Sequence, residues 1–152
     1  MNSETFLSNI KDLLLPAEYS SEITKNVPED WLFLKKGSYI LVAAPYDQIP
    51  EDDYSNKYIK SKIKEILFCF PLFAEKGLFL IDYGSLDQWA KAKESHRVDR
   101  TGLKPIILQS FHFIDPNTGE NYNSRTRWGP VKFGFCGKVI EKVESYCSGL
   151  YP

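Results

Sequence analysis

The apolar residues of this chain fall into short segments with two different spacings, and this alternation is the feature that most constrains the fold. Apolar residues three or four positions apart predict helices over residues 3–15, from about Tyr54 to Phe70, and over residues 86–95. Runs of β-branched and aromatic residues between turn-forming residues predict strands. The predicted strands are Trp31–Leu34, Tyr39–Ala44, Leu78–Tyr83, Pro105–Ile114, Asn121–Trp128 and Val131–Val143.

Two turn sequences indicate how these strands connect. Lys35–Ser38 places a glycine between two apolar runs, and Asp115–Glu120 combines proline, asparagine and glycine, so both predict hairpins. Only the connection from Leu78–Tyr83 to Pro105–Ile114 is predicted to be a parallel crossover. The predicted element order is α-β-β-α-β-α-β-β-β. We therefore expect one α+β domain over residues 1–152, with a mainly antiparallel sheet of five or six strands and two or three helices packed on one face.

Composition places the chain among ordinary soluble domains. It has 152 residues, of which 43% are apolar and 14% aromatic, which excludes disorder, collagen and coiled coil. No apolar run approaches the ~20 residues that span a bilayer, and the first residues do not have the pattern of a signal peptide. Cys69, Cys136 and Cys147 are an odd number and form no C-x-x-C pair. Reduced thiols and a cytoplasmic location are therefore expected, without a membrane partner.

The charge of the chain is nearly balanced overall, but acidic and basic residues are distributed unevenly along the sequence. The chain has 19 basic and 20 acidic residues, yet residues 1–30 hold six acids against two lysines, and residues 101–152 hold six bases against four acids. Much of the acidic charge lies in two predicted loops, residues 16–30 and 45–53. Such loops favour a basic protein partner. A general nucleic-acid binder is usually far more basic, so the charge argues against one.

Motifs that carry chemistry are absent from the sequence. The cysteines and histidines lack the paired spacing of a zinc site, and neither a glycine-rich nucleotide loop nor a nucleophile elbow occurs. We therefore expect no cofactor and no metal. The alternative of a small enzyme acting on an anionic substrate would use a histidine as acid-base and an arginine pair as clamp. Its candidate residues are His96, His112, Arg125 and Arg127.

The segment from Asn121 to Trp128 alternates aromatic and basic residues on a predicted strand. Tyr122, Arg125, Arg127 and Trp128 are the types that stack on bases and contact phosphates in single-stranded RNA, which makes an RNA-binding module a further alternative. Tyr, Trp and Arg are also enriched at protein-binding hot spots, and an ordinary amphipathic edge strand has the same pattern.

Together these features favour a non-catalytic cytoplasmic protein that binds another protein and neutralises it, as an immunity protein neutralises a toxin. The acidic loops would guide the chain to a basic active site, and exposed aromatic residues would supply the buried contacts. The sequence leaves catalysis open and favours its absence. The candidate partner-binding residues are Glu18, Glu22, Glu29, Asp30, Asp47, Glu51, Asp52, Asp53, Tyr122 and Trp128.

Overall fold

The structure is a computed structural model that describes residues 2–48, 57–67, 76–89, 106–125 and 133–150. Within these residues the chain forms a six-stranded sheet and three helices, so its class is mixed α and β. The helices are α1 Ser3–Leu14, α2 Lys57–Leu67 and α3 Phe133–Ser148. The strands are β1 Ser21–Glu22, β2 Leu32–Lys36, β3 Tyr39–Pro45, β4 Lys76–Tyr83, β5 Ile106–Ile114 and β6 Asn121–Arg125. In this part of the chain no helix has the length and hydropathy needed to cross a membrane.

The strands follow one another across the sheet in sequence order, but they are not mainly antiparallel. β1, β2 and β3 pair antiparallel, β3, β4 and β5 pair parallel, and β6 returns antiparallel to β5. The sequence predicts only one parallel crossover, whereas the connection from β3 to β4 through α2 is a second one. A helix between two strands is the usual way to join parallel neighbours. The prediction of a mainly antiparallel sheet is therefore wrong, and its centre is parallel.

The helices pack on both faces of the sheet rather than on one. α1 and α3 cover the face that carries Leu41 and Phe79, whereas Ile59, Ile63 and Ile66 of α2 pack on the opposite face. The cause lies in β3, where Leu41 and Val42 point to opposite faces and both are fully buried. A strand that is apolar on both faces needs a layer on each side. The one-sided arrangement predicted from the sequence is thus also wrong.

The last predicted strand is Val131–Val143, but from Phe133, where the described residues resume, the chain is helix α3. Its valines and isoleucine favour a strand locally, but Val139, Val143 and Cys147 are four residues apart and all fully buried on one helical face. Tyr146 of α3 also accepts a hydrogen bond of 3.1 Å from the Asn9 side chain of α1. Tertiary packing therefore decides the conformation here. The described order becomes α-β-β-β-α-β-β-β-α, which includes a short strand β1 inside the predicted acidic loop.

The strand directions bring several distant loops to one end of the sheet. β3, β4 and β5 all end there, and the antiparallel strands β2 and β6 begin there. We call this end the carboxyl edge and define it by four segments: Glu29–Trp31, Tyr46–Gln48, Gly84–Trp89 and Asp115–Glu120. The opposite end is the amino edge, defined by Lys35–Tyr39 and Lys76–Gly77. The carboxyl ends of parallel strands are where open α/β sheets bind ligands, so this edge is the first place to look for a site.

Candidate functional site

The carboxyl edge is acidic in every segment that defines it. Its four segments contain no lysine or arginine and six carboxylates: Glu29, Asp30, Asp47, Asp87, Asp115 and Glu120. Asp115 is nearly buried, and its Oδ1 accepts a hydrogen bond of 2.9 Å from the Asn117 backbone, so it serves the turn. Glu29, Asp30, Asp47 and Asp87 are exposed. The edge therefore presents negative charge from three separate loops to solvent.

Tyr83, at the end of β4, links two of these acidic loops. Its hydroxyl donates a 2.5 Å hydrogen bond to the backbone carbonyl of Asp30. Burial, followed by the negative charges of Asp30 and Asp47, raises the pKa of Tyr83 to about 12. The phenol is therefore a neutral donor at physiological pH. Two predicted partner-binding carboxylates from different loops thus act on the same hydroxyl group.

Side-chain contacts hold these two loops in place. The indole Nε1 of Trp31 donates a 2.9 Å hydrogen bond to Oε1 of Gln48, which joins the two loops directly. Asp30 adopts the left-handed region with φ of 66°, which aspartate tolerates better than most residues, and its Oδ1 accepts a hydrogen bond of 3.2 Å from Ser3 of α1. The two loops are therefore fixed to each other by the fold, and the Asp30 carboxylate is held by a hydrogen bond of its own.

A groove of about 450 Å³ opens beside Asp30, between α1 and the start of β2. It combines four carboxylates with one lysine and an apolar floor, and it is lined by Glu4, Leu7, Ser8, Lys11, Glu22, Glu29, Asp30, Trp31 and Leu32. Lys11 lies 3.7 Å from Glu22 and offsets part of the charge. The groove extends the acidic character of the carboxyl edge along α1.

The other predicted acidic residues are placed differently. Oε1 of Glu18 lies 3.0 Å from Nζ of Lys142 in α3, and the Glu18 side chain is only 12% exposed. The Glu18 charge is therefore paired within the fold and contributes little to the surface potential. Glu22 lies in the short strand β1 and pairs with Lys11, as described above. Glu51, Asp52 and Asp53, together with Trp128, lie outside the described residues. A role in binding remains a prediction for all of these residues.

Tyr122 is exposed at the start of β6, next to the carboxyl edge. It is 42% exposed, and its ring stacks on Trp89 with the centroids 4.8 Å apart and the planes 15° from parallel. Trp89 in turn contacts Phe111 and Phe113 of β5 at centroid distances of 6.0 and 5.9 Å. The sequence identifies Tyr122 as a candidate contact. It misses Tyr83 and Trp89 as site residues, although Tyr83 ends β4 and Trp89 lies in the segment that follows it.

His112 lies in the core of the sheet rather than in a pocket. It is fully buried, and its ring stacks on the ring of Phe79 with the centroids 5.7 Å apart. Its Nε2 is 3.3 Å from Oδ1 of Asn121. Burial lowers its pKa to about 4, so the imidazole is neutral at pH 7. A side chain in this position has no access to a substrate in solution. Arg125 belongs to β6 opposite Ser110, while its side chain, His96 and Arg127 lie outside the described part of the chain.

Comparison with family models, with curated proteins and with solved structures found no match to this chain. Within the described residues, no three His, Cys, Asp or Glu side chains are close enough to one another to hold a metal ion. The function is therefore inferred from the arrangement of charge and aromatic side chains at the carboxyl edge.

Proposed function

We propose that this chain is a non-catalytic cytoplasmic protein that binds and neutralises another protein, in the manner of an immunity protein, by covering a basic active site with its carboxyl edge. One observation carries the proposal: the loops of Asp30 and Asp47 are joined by the hydrogen bond between Trp31 and Gln48, at an edge whose defining segments contain no basic residue. Carboxylates that are exposed and unneutralised contribute little to folding, so their accumulation favours a role in binding.

The edge has the two components that such an interface needs. Its exposed carboxylates create a negative potential that accelerates encounter with a basic surface and disfavours acidic ones. Tyr122 and Trp89 lie at its far side and offer aromatic contact area, which dominates the energy of many interfaces. Occlusion requires no catalytic group, because a protein that covers an active site excludes its substrate sterically.

The enzyme alternative loses support from the position of His112. Acid-base catalysis requires the titrating group within hydrogen-bond reach of the substrate. His112 is fully buried and neutral at pH 7, so it does not meet this requirement.

The proposal is tested by capturing the partner with the wild-type chain and with an isosteric double variant, Asp30→Asn with Asp47→Asn. The asparagine at position 30 keeps the oxygen that accepts from Ser3 and tolerates the left-handed backbone. We expect the wild type to recover one protein from its native cell at near stoichiometric yield, in a complex weakened by salt. We expect the double variant to associate about tenfold more slowly with the captured protein.

The matched control neutralises the amino edge with Lys35→Gln and Lys36→Gln, which should leave association unchanged within about twofold. Purified captured protein should also lose its activity when one equivalent of the wild-type chain is added. Equal association of the two double variants, or full activity of the partner in the complex, would contradict the proposal. Recovery of no protein together with thermal stabilisation by a small anionic molecule would favour the enzyme alternative.

A further inference from the structure

Two aromatic side chains form an exposed platform beside the carboxyl edge. Tyr122 from β6 and Trp89 from the segment after β4 stack almost parallel, and Trp89 is supported from below by Phe111 and Phe113. Tyr122 is the one large aromatic or aliphatic side chain within the described residues that is fully in the exposed class, at 42%. An exposed aromatic ring that is held by a second ring is preorganised for contact, because little side-chain entropy remains to be lost on binding.

The platform carries negative charge on both of its segments. Asp87 lies two residues before Trp89 and is exposed, and its carboxylate accepts a hydrogen bond from the Ser85 hydroxyl. Glu120 lies two residues before Tyr122, and its backbone carbonyl accepts a hydrogen bond of 2.9 Å from the amide of Asp115 in the same turn. Residues 83–89 and 114–122 contain no lysine or arginine. Each of the two segments that carry the platform therefore has an acidic residue two positions before its ring and no basic residue within these bounds.

An exposed aromatic ring with acidic residues near it favours an arginine side chain as its ligand. A guanidinium group is planar and weakly hydrated, so it stacks on an aromatic face while its N–H groups donate to neighbouring carboxylates. An ammonium group is more strongly hydrated and offers no flat face. Single-stranded nucleic acid also stacks on aromatic rings, and it needs basic residues beside them. Residues 83–89 and 114–122 have none, but Lys91 and Arg125 follow them closely in the sequence, so an oligonucleotide is the competing ligand for the test.

We propose that the Tyr122–Trp89 platform receives an arginine side chain of the protein partner. The inference rests on the proposed function, and it deepens that function by assigning the aromatic contact and the residue type that it recognises. In this arrangement the guanidinium lies over the exposed Tyr122 ring, and Asp87 and Glu120 accept its hydrogen bonds. The acidic groove at Asp30 lies on another part of the edge, so the two contributions can be separated by mutation.

The test is an NMR titration of the full chain with a blocked Gly-Arg-Gly-Arg-Gly peptide at millimolar concentration. The indole N–H signal of Trp89 is assigned from its absence in Trp89→Phe. We expect the arginine peptide to shift this signal and the Tyr122 ring signals. A peptide with citrulline in place of arginine, which keeps the shape and lacks the charge, should leave them in place.

Two variants at position 122 separate stacking from charge. Tyr122→Ala should bind the peptide about three- to fivefold more weakly, whereas Tyr122→Phe, which keeps the ring, should bind within about twofold of the wild type. The dispersion of the amide spectrum shows whether Tyr122→Ala is folded. If it is not, the shifts in the wild-type chain and in Tyr122→Phe decide the question.

The outcomes separate this inference from the proposed function. Equal peptide affinity in Tyr122→Ala and wild type, or shifts confined to the Asp30 and Asp47 region, would overturn the arginine platform and leave the acidic interface standing. An absence of any shift would overturn it as well, as would a short oligouridylate that shifts the same signals more strongly. Failure of the partner-capture experiment with Asp30→Asn and Asp47→Asn, by contrast, concerns the proposed function and does not depend on Tyr122.

Discussion

The carboxyl edge and the amino edge are two ends of one sheet with opposite charge. The segments that define the carboxyl edge hold six acids and no base, whereas those of the amino edge hold Lys35, Lys36 and Lys76 and no acid. The whole chain has a net charge of only −1. The difference teaches that net charge describes this surface poorly, because the fold separates the two signs along the strand axis.

Strand direction produces this separation. The loops before β2, after β3, after β4 and after β5 meet at one end because β3, β4 and β5 are parallel. An antiparallel arrangement of the same strands would have distributed these acidic loops over both ends of the sheet. The site is therefore a property of the topology, and no single loop contains it.

The largest effect that distinguishes the two edges is expected at their left-handed glycines. Gly119 at the carboxyl edge has φ of 79°, and a Cβ there would collide with the backbone carbonyl of Cys147 and come within 2.9 Å of the Leu150 Cβ. Gly37 at the amino edge has φ of 57°, and a Cβ there would meet nothing within 4 Å. Gly119→Ala should lower the free energy of unfolding by about 3 kcal/mol, from strain and overpacking together, and Gly37→Ala by about 1 kcal/mol from strain alone.

Urea denaturation of both variants measures this difference, with the wild type as reference. Equal destabilisation by the two substitutions would show that the end of α3 does not pack on the 115–120 turn as described. A difference as large as predicted would mean that the carboxyl edge is fixed by the body of the protein, whereas the amino-edge turn is free of such support.

A second prediction concerns His112, which is fully buried in the sheet, in contrast to the exposed carboxylates of the carboxyl edge. An unfolded chain protonates His112 near pH 6.5, whereas the folded protein resists protonation until about pH 4. The unfolded state therefore binds more protons between these values. The stability that neutral His112 provides is complete above pH 6.5 and is lost as the pH falls towards 4. This loss should amount to about 3 kcal/mol by pH 4.

The measurement is the free energy of unfolding between pH 7 and pH 4 for the wild type and for His112→Gln, which cannot take up the proton. Because the substitution itself can change the stability at pH 7, the quantity compared is the change in the free energy of unfolding between pH 7 and pH 4 in each protein. The wild type should lose about 3 kcal/mol more than the variant over this range. Parallel curves would show that His112 is accessible and titrates normally, which would restore it as an acid-base candidate.

The sequence predicts the elements better than it predicts their arrangement. Helix α1, helix α2 and the β2–β3 hairpin follow from apolar spacing and a turn glycine, which are local properties. The direction of β4 depends on how α2 crosses the sheet, and α3 depends on packing against α1, so neither can be read from its own segment. Composition alone made Val131–Val143 resemble a strand.

The candidate site divides in the same way. Asp30 and Asp47 can be chosen from the sequence because acidic loops are visible in it. Tyr83 cannot be chosen in this way, because it ends a distant strand, β4, and only the parallel pairing of β3 with β4 brings it close to the two loops. His112 illustrates the reverse case, since its residue type suggests chemistry and its burial removes it from any solvent-borne substrate.

The third prediction concerns the pKa of Tyr83 as a probe of the edge. Asp47→Asn removes one of the negative charges that raise this pKa, so the phenol should ionise at a lower pH than in the wild type. Because burial is the larger cause, the pKa should still remain above its ordinary value of 10.0. Lys36→Gln, at the amino edge, should leave it unchanged.

Absorbance of tyrosinate during an alkaline titration gives this pKa when the curve of Tyr83→Phe is subtracted from that of each protein. The sign of the change follows from the charge that is removed. An unchanged pKa in Asp47→Asn would place the two loops further apart than the hydrogen bond between Trp31 and Gln48 implies.

The smallest expected effect is a change in the free energy of unfolding of Asp47→Asn. Its sign shows whether the exposed carboxylates of the edge stabilise the fold or reduce its stability. Like charges brought together repel, so neutralising one exposed carboxylate of the edge should stabilise the fold. We expect Asp47→Asn to raise the free energy of unfolding by about 0.5 kcal/mol at low salt, and Lys36→Gln to change it by less. The gain should shrink as salt screens the repulsion, which equilibrium denaturation at two salt concentrations can measure. A loss of stability in Asp47→Asn would mean that this carboxylate serves the fold. A gain would mean that the chain carries it at a cost to stability, as residues retained for function often are.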